Sequence, residues 1–131
     1  MNATEKNHAK DNAVSNLESI VEMVTALDTE DEDAREGAIQ AINEDPLSVE
    51  VRSDWHTPGE VIAKNTEYRI LLSWGGPACH IIGELNEHNE PETAVIEYQD
   101  WGTPWTALED VTDDQTEALL TYARQFYFEE V

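Results

Sequence analysis

Val14, Leu17, Ile20, Val21, Val24 and Leu27 recur at intervals of three and four, the repeat of one face of an α-helix. The pattern predicts a helix from Asp11, with Glu18 and Glu22 one turn apart on its polar side. Thr29 and Glu32 match a capping box, so a second helix is expected to start near Glu30. Ala34, Ala38, Ile39 and Ile42 give it a thin apolar side, and Asp45-Pro46 ends it.

The period then changes from helical to alternating. Leu47, Val49 and Val51 interleave with Ser48, Glu50 and Arg52, which predicts a half-buried strand reaching Trp55. Residues 56–66 read as a loop broken by Pro58-Gly59. Tyr68, Ile70, Leu72 and Trp74 share one face of a second strand, with Leu71 on the other. Gly75-Gly76-Pro77 turns the chain. Ala78–Leu85 is a third strand, carrying Cys79, Ile81 and Leu85 on one side and His80 and Ile82 on the other. The NEHNEPE segment is a turn, and Thr93–Trp101 is a fourth strand on which Ala94, Ile96 and Tyr98 alternate. TPWTALEDV reads as a compact connector. Thr112 and Gln115 form a second capping box ahead of a last helix, whose stripe of Leu119, Tyr122, Ala123 and Phe126 continues into Tyr127 and Phe128.

Short connections favour antiparallel neighbours. The expected fold is α+β: a four-stranded antiparallel β-meander with two N-terminal helices and one C-terminal helix. It forms a single domain over 1–131, with 1–10 frayed, 11–45 helical and 46–131 sheet plus helix. Ile70, Leu72, Ile81, Ile96, Leu119 and Phe126 are expected in its core.

Charge changes this picture more than composition does. The 131 residues hold 29 acids against 7 Lys and Arg, a net charge of −22. Between Ile70 and Ala123 there are eleven acids and no lysine or arginine, whereas ordinary surfaces mix both signs. Such a surface repels nucleic acid and anionic membranes. It suits a basic partner, reached by electrostatic steering. Apolar runs fall short of a membrane span, and MNATEKNHAKDNA has no apolar leader core, so the expected location is the cytoplasm.

Catalytic and metal-binding patterns are sparse. His8, His56, His80 and His88 match no ligand spacing, so neither a metal nor a cofactor is expected. Cys79, the lone cysteine, reads as a small core residue. Glu97 with Asp100, or Asp113 and Asp114 with Glu117, could be paired on paper as acid and base, but nothing selects one pair. A non-enzymatic role is therefore expected. WGTPW has two readings: a corner in which Gly102 and Pro104 set the backbone while Trp101 and Trp105 cover the end of the core, or an aromatic anchor for a partner.

The segments EDPLSVEVRSDW, RILLSWGGPACHIIGELNEHNEPETAVIEYQDWGTPW and LLTYARQFYF span roughly residues 44–128. Together they resemble a family of small acidic proteins carried by bacterial phages and integrative elements, with WGTPW and YARQFYF specific to it. The resemblance implies a mobile-element setting in a bacterial cell. It carries no functional residues with it. By association it points to anti-restriction and anti-CRISPR inhibitors, several of which look like DNA mimics.

The reading that follows is an inhibitor of a host defence nuclease or CRISPR surveillance complex, acting by occupying its basic DNA-binding surface. The acids expected to carry it are Glu84, Glu87, Glu90 and Glu92 around the third turn, Glu97 and Asp100 on the fourth strand, and Asp110, Asp113, Asp114 and Glu117 at the last helix. A second patch is Glu30, Asp31, Glu32, Asp33 and Glu36. The alternatives are a regulatory or structural protein binding a basic protein partner, and an acidic domain adapted to high salt.

Overall fold

The computed structural model describes residues 8–53, 55, 57–59, 65–75, 77–100 and 103–128. The elements in chain order are α1 (His8–Leu27), α2 (Glu32–Glu44), β1 (Ser48–Ser53), β2 (Asn65–Ser73), β3 (Ala78–Glu84), β4 (Val95–Gln99), β5 (Thr106–Ala107) and α3 (Asp113–Ala123). The chain is α+β, and its sheet is an antiparallel meander in the order β1-β2-β3-β4-β5. The expected sheet of four strands is thus one strand short. The fifth lies inside the connector TPWTALEDV, where two exposed residues are too few to show an alternating pattern.

Strand alternation divides the sheet into two unlike faces. Ile70, Ile81 and Ile96 stand side by side across β2, β3 and β4, and all three are buried. This face is covered by helices: α1 lies against β3 and β4, α3 against β4 and α1, and α2 against α1. Leu17 and Ile20 of α1, Ile42 of α2 and Leu119 and Tyr122 of α3 complete the core. Burial of each large aliphatic side chain here contributes about 1.5–3 kcal/mol. The Tyr122 hydroxyl donates to Asp45 Oδ2 at 2.6 Å, tying α3 to the end of α2. Burial, then that bond, raises its pKa well above the usual phenol value.

Several boundaries differ from the sequence reading. Helix α1 already includes His8–Lys10, because Ala9 is fully buried and extends the apolar stripe by one turn. The N-cap of α2 is Asp31 and not Thr29: its carboxylate accepts from the amides of Asp33 and Ala34. Thr29 Oγ1 accepts instead from Asp31 N. The second capping box is present in full, with reciprocal bonds between Thr112 and Gln115. Strand β1 stops at Ser53, and Trp55 beyond it is exposed.

A bulge between Leu71 and Ser73 shifts the β2–β3 register. It sets Ser73 opposite Cys79 and brings Ser73 Oγ to Asn12 Oδ1 of α1 at 2.9 Å. Alternation is broken there, and Trp74 leaves the core face to stand 70% exposed. Helix α3 ends at Ala123, so Phe126 is only partly buried, edge-on to Tyr122. The buried ring is Phe128, with its centroid 5.0 Å from that of Tyr68.

Candidate functional site

Of the described acids, all but Glu67 and Glu97 are exposed. The β3–β4 turn is built around Asn86, whose Oδ1 accepts from His88 N at 2.8 Å and Glu90 N at 3.0 Å. Asn89 takes a left-handed conformation with φ 60°, which asparagine tolerates better than most residues. Glu84 and Glu92 are joined by a backbone bond at the base of this turn, and Glu87 and Glu90 project from its tip. The four acids expected to act together therefore do sit on one ordered hairpin end.

Arg124 Nε donates to Pro91 O at 3.2 Å, which fixes the C-terminal end of α3 beside that hairpin. Asp113 and Asp114 lie in the first turn of the same helix, where its dipole favours negative charge. An 11-residue helix is about 16 Å long, so these acids form a separate group, with Glu117 one turn along. Asp110 precedes them at φ 62°. Asp100 is exposed in the β4–β5 connection, its amide bonded to Thr103 Oγ1. The third group, Glu30 to Glu36, surrounds the start of α2. Within it Asp31 is occupied as the N-cap, and Arg35 donates to Thr29 O at 2.7 Å.

The described arginines are all bound within the chain. Arg52 pairs with Glu67 at 2.7 Å and Arg69 pairs with Glu50, both across the β1–β2 ladder. Arg35 and Arg124 hold backbone carbonyls. None of them lies in the long acidic stretch, so little in the fold offsets its charge.

Glu97 behaves differently from the other predicted acids. It faces away from the helices, directly opposite His80 on β3, and its Oε1 lies 2.8 Å from His80 Nε2. His80 is 3% exposed. The Trp105 indole stacks flat on the imidazole, with centroids 3.6 Å apart and planes 10° from parallel. Burial is the main influence on His80 and lowers its pKa; the bond to Glu97 opposes this and Arg69 adds to it. Burial thus favours the neutral ring, whose Nε2–H donates to the carboxylate. Nδ1 is left as a buried acceptor without a partner, an arrangement that calls for an explanation. Beside it is a recess of about 410 Å³ on the helix-free face, lined by Glu50, Val51, Arg52, Glu67, Tyr68, Arg69, His80, Ile82 and Trp105.

Sequence reasoning missed this cluster. Its signal was present: β3 and β4 mirror each other about His88-Asn89, which sets His80 opposite Glu97. Trp105 thus lies over the outer face of the sheet, away from the helical core. Trp101, Gly102 and His56 fall outside the described residues.

Other chemistry has little support here. Cys79 is buried, and burial pushes its thiol from 9.0 up to about 12, with a hydrogen bond from Asn16 opposing. Among the described residues no group of three or more His, Cys, Asp or Glu could hold a metal ion, and no helix is long and apolar enough to cross a membrane. No protein-family model, no curated protein and no solved structure matches the chain.

Proposed function

We propose that this chain is a non-enzymatic inhibitor that occupies the basic, DNA-binding surface of a protein partner, and that the partner is a bacterial defence nuclease or surveillance complex. The observation that carries the reading is the pairing of exposed acids with internally bound arginines. A net charge of −22, with each described arginine bound to an acid or a carbonyl of the same chain, presents predominantly negative potential. Such a potential accelerates encounter with a basic surface and disfavours acidic ones. Glu84, Glu87, Glu90 and Glu92 share one hairpin end stiffened by Asn86. The turn fixes the backbone that carries them, as carboxylates replacing phosphates require. The mobile-element setting implied by the family resemblance supports this choice of partner.

The test is to isolate the partner from a bacterial host and measure binding to its DNA-free and DNA-loaded forms. Tight binding to the free form alone, lost when the four hairpin acids are reversed to lysine, supports competition with DNA. Equal affinity for both forms would sink DNA mimicry and leave a protein that binds a basic partner for another purpose. A chain that folds only in molar salt would point instead to halophilic adaptation.

A further inference from the structure

The recess beside Trp105 lies on the helix-free face of the sheet. Three of its features point to one chemical group. His80 Nδ1 is a buried lone-pair acceptor without a partner. His80 lines the recess, and its Nε2 is already bound to Glu97 on β4. Trp105 supplies an aromatic wall; His80 covers one of its faces, and the π surface left uncovered attracts cations. Glu50 and Glu67 add carboxylates. Each carboxylate is held only by a partly exposed arginine of the same chain, and exposed pairs of this kind are weak.

Resting on the function proposed above, we infer that this recess seats the guanidinium of one arginine side chain from the partner, at the edge of the His80–Trp105 stack and donating to His80 Nδ1 and to Glu50. Nδ1 is closed to water in the free chain and Glu50 already holds Arg69, so an incoming guanidinium takes the place of Arg69 on Glu50. The displaced Arg69 stays attached to β2 beside the recess, so the incoming guanidinium adds one positive charge to a chain of −22. An anion fits less well: both arginines of the recess are already paired, and the whole chain carries −22. An ammonium fits less well too, because it neither stacks as a plane nor presents two donors along one edge.

The experiment is a titration of the full-length, nitrogen-15-labelled protein with N-acetyl-arginine methylamide in moderate salt, following the His80 ring nitrogens by NMR. The Nδ1 resonance is expected to move saturably, and the matching lysine derivative to bind about tenfold more weakly. Trp105→Leu should weaken the arginine derivative by a similar factor. If that variant does not fold, Glu50→Gln at an exposed position carries the same expectation. An unmoved Nδ1 resonance at saturation of the acidic surface, or equal response to the lysine derivative, overturns the inference. Reversing the four hairpin acids should leave this titration intact while abolishing partner binding. The recess and the DNA-competition reading can therefore fail separately.

Discussion

Glu97→Ala is expected to destabilise the fold even though it removes one unit of a large excess negative charge. The carboxylate is the hydrogen-bond partner of His80, whose side chain is 4% exposed. Its loss leaves Nε2–H unpaired in addition to Nδ1. A buried polar group stripped of its partner costs about 1–3 kcal/mol. Relief of repulsion works in the other direction, at about 0–1 kcal/mol for interactions among exposed charges. The first effect outweighs the second, for a net loss of about 1–2 kcal/mol. Glu92→Ala is the control: it removes the same charge from an exposed position and should change stability by no more than about 0.5 kcal/mol. Urea unfolding followed by circular dichroism measures both, with an unchanged slope as the sign that the unfolded state is the same. Replacing both groups, as His80→Leu with Glu97→Ala, removes the orphaned atoms and should restore much of the loss. A midpoint for Glu97→Ala equal to or above that of Glu92→Ala would refute the structural role assigned to this acid.

Three further outcomes follow from the geometry. Gly83→Ala places a Cβ 2.0 Å from Thr93 O and 2.7 Å from the Tyr68 ring; with overpacking and the lost Tyr68–Thr93 bond, thermal unfolding should show about 2–4 kcal/mol of destabilisation. Because burial lowers the His80 pKa from 6.5, the unfolded chain takes the proton first. This contribution is complete above pH 6.5 and is lost as pH falls through the folded-state value, and the double variant lacking His80 and Glu97 should show a shallower acid limb in chemical unfolding. Added salt at moderate concentration should raise the melting temperature by screening the acidic surface, and a fall in melting temperature would contradict self-repulsion as its main effect.

The elements that could be read from sequence are those whose cause is local. The stripe of α1, the alternation of β2 and β3 and the reciprocal Thr112–Gln115 cap each depend on residues within a few positions of one another. Where two local solutions compete, the reading chose wrongly: Asp31 and Thr29 both suit a cap, and the helix takes the one nearer its first turn. The bulge after Leu71 follows from a tertiary contact, Ser73 with Asn12, which no pattern within β2 reveals. Phe126 and Phe128 exchanged roles because the end of α3 is set by where the chain must return to the sheet. The candidate site was only partly legible. The exposed acids follow from composition, but His80, Glu97 and Trp105 come from two strands and the connector before β5. Their meeting depends on hairpin register, and one member of the cluster, Glu97, was read as one more surface charge.

Gly83 has a consequence for how the chain avoids wrong structures. Tyr68 stands opposite it and lies across the backbone to reach Thr93 O, in space that any side chain at that position would fill. If β3 slipped against β2 by one residue, Ile82 or Glu84 would come under the ring; a slip of two would bring Ile81 or Leu85. Every one of these carries a Cβ where only hydrogen fits. The correct alignment is thus the one that lets the tyrosine lie down, and misaligned hairpins forfeit both its burial and its hydrogen bond. In a sequence so strongly charged that collapse is opposed from the start, a steric check on strand alignment built from a single missing carbon acts without drawing on charge at all.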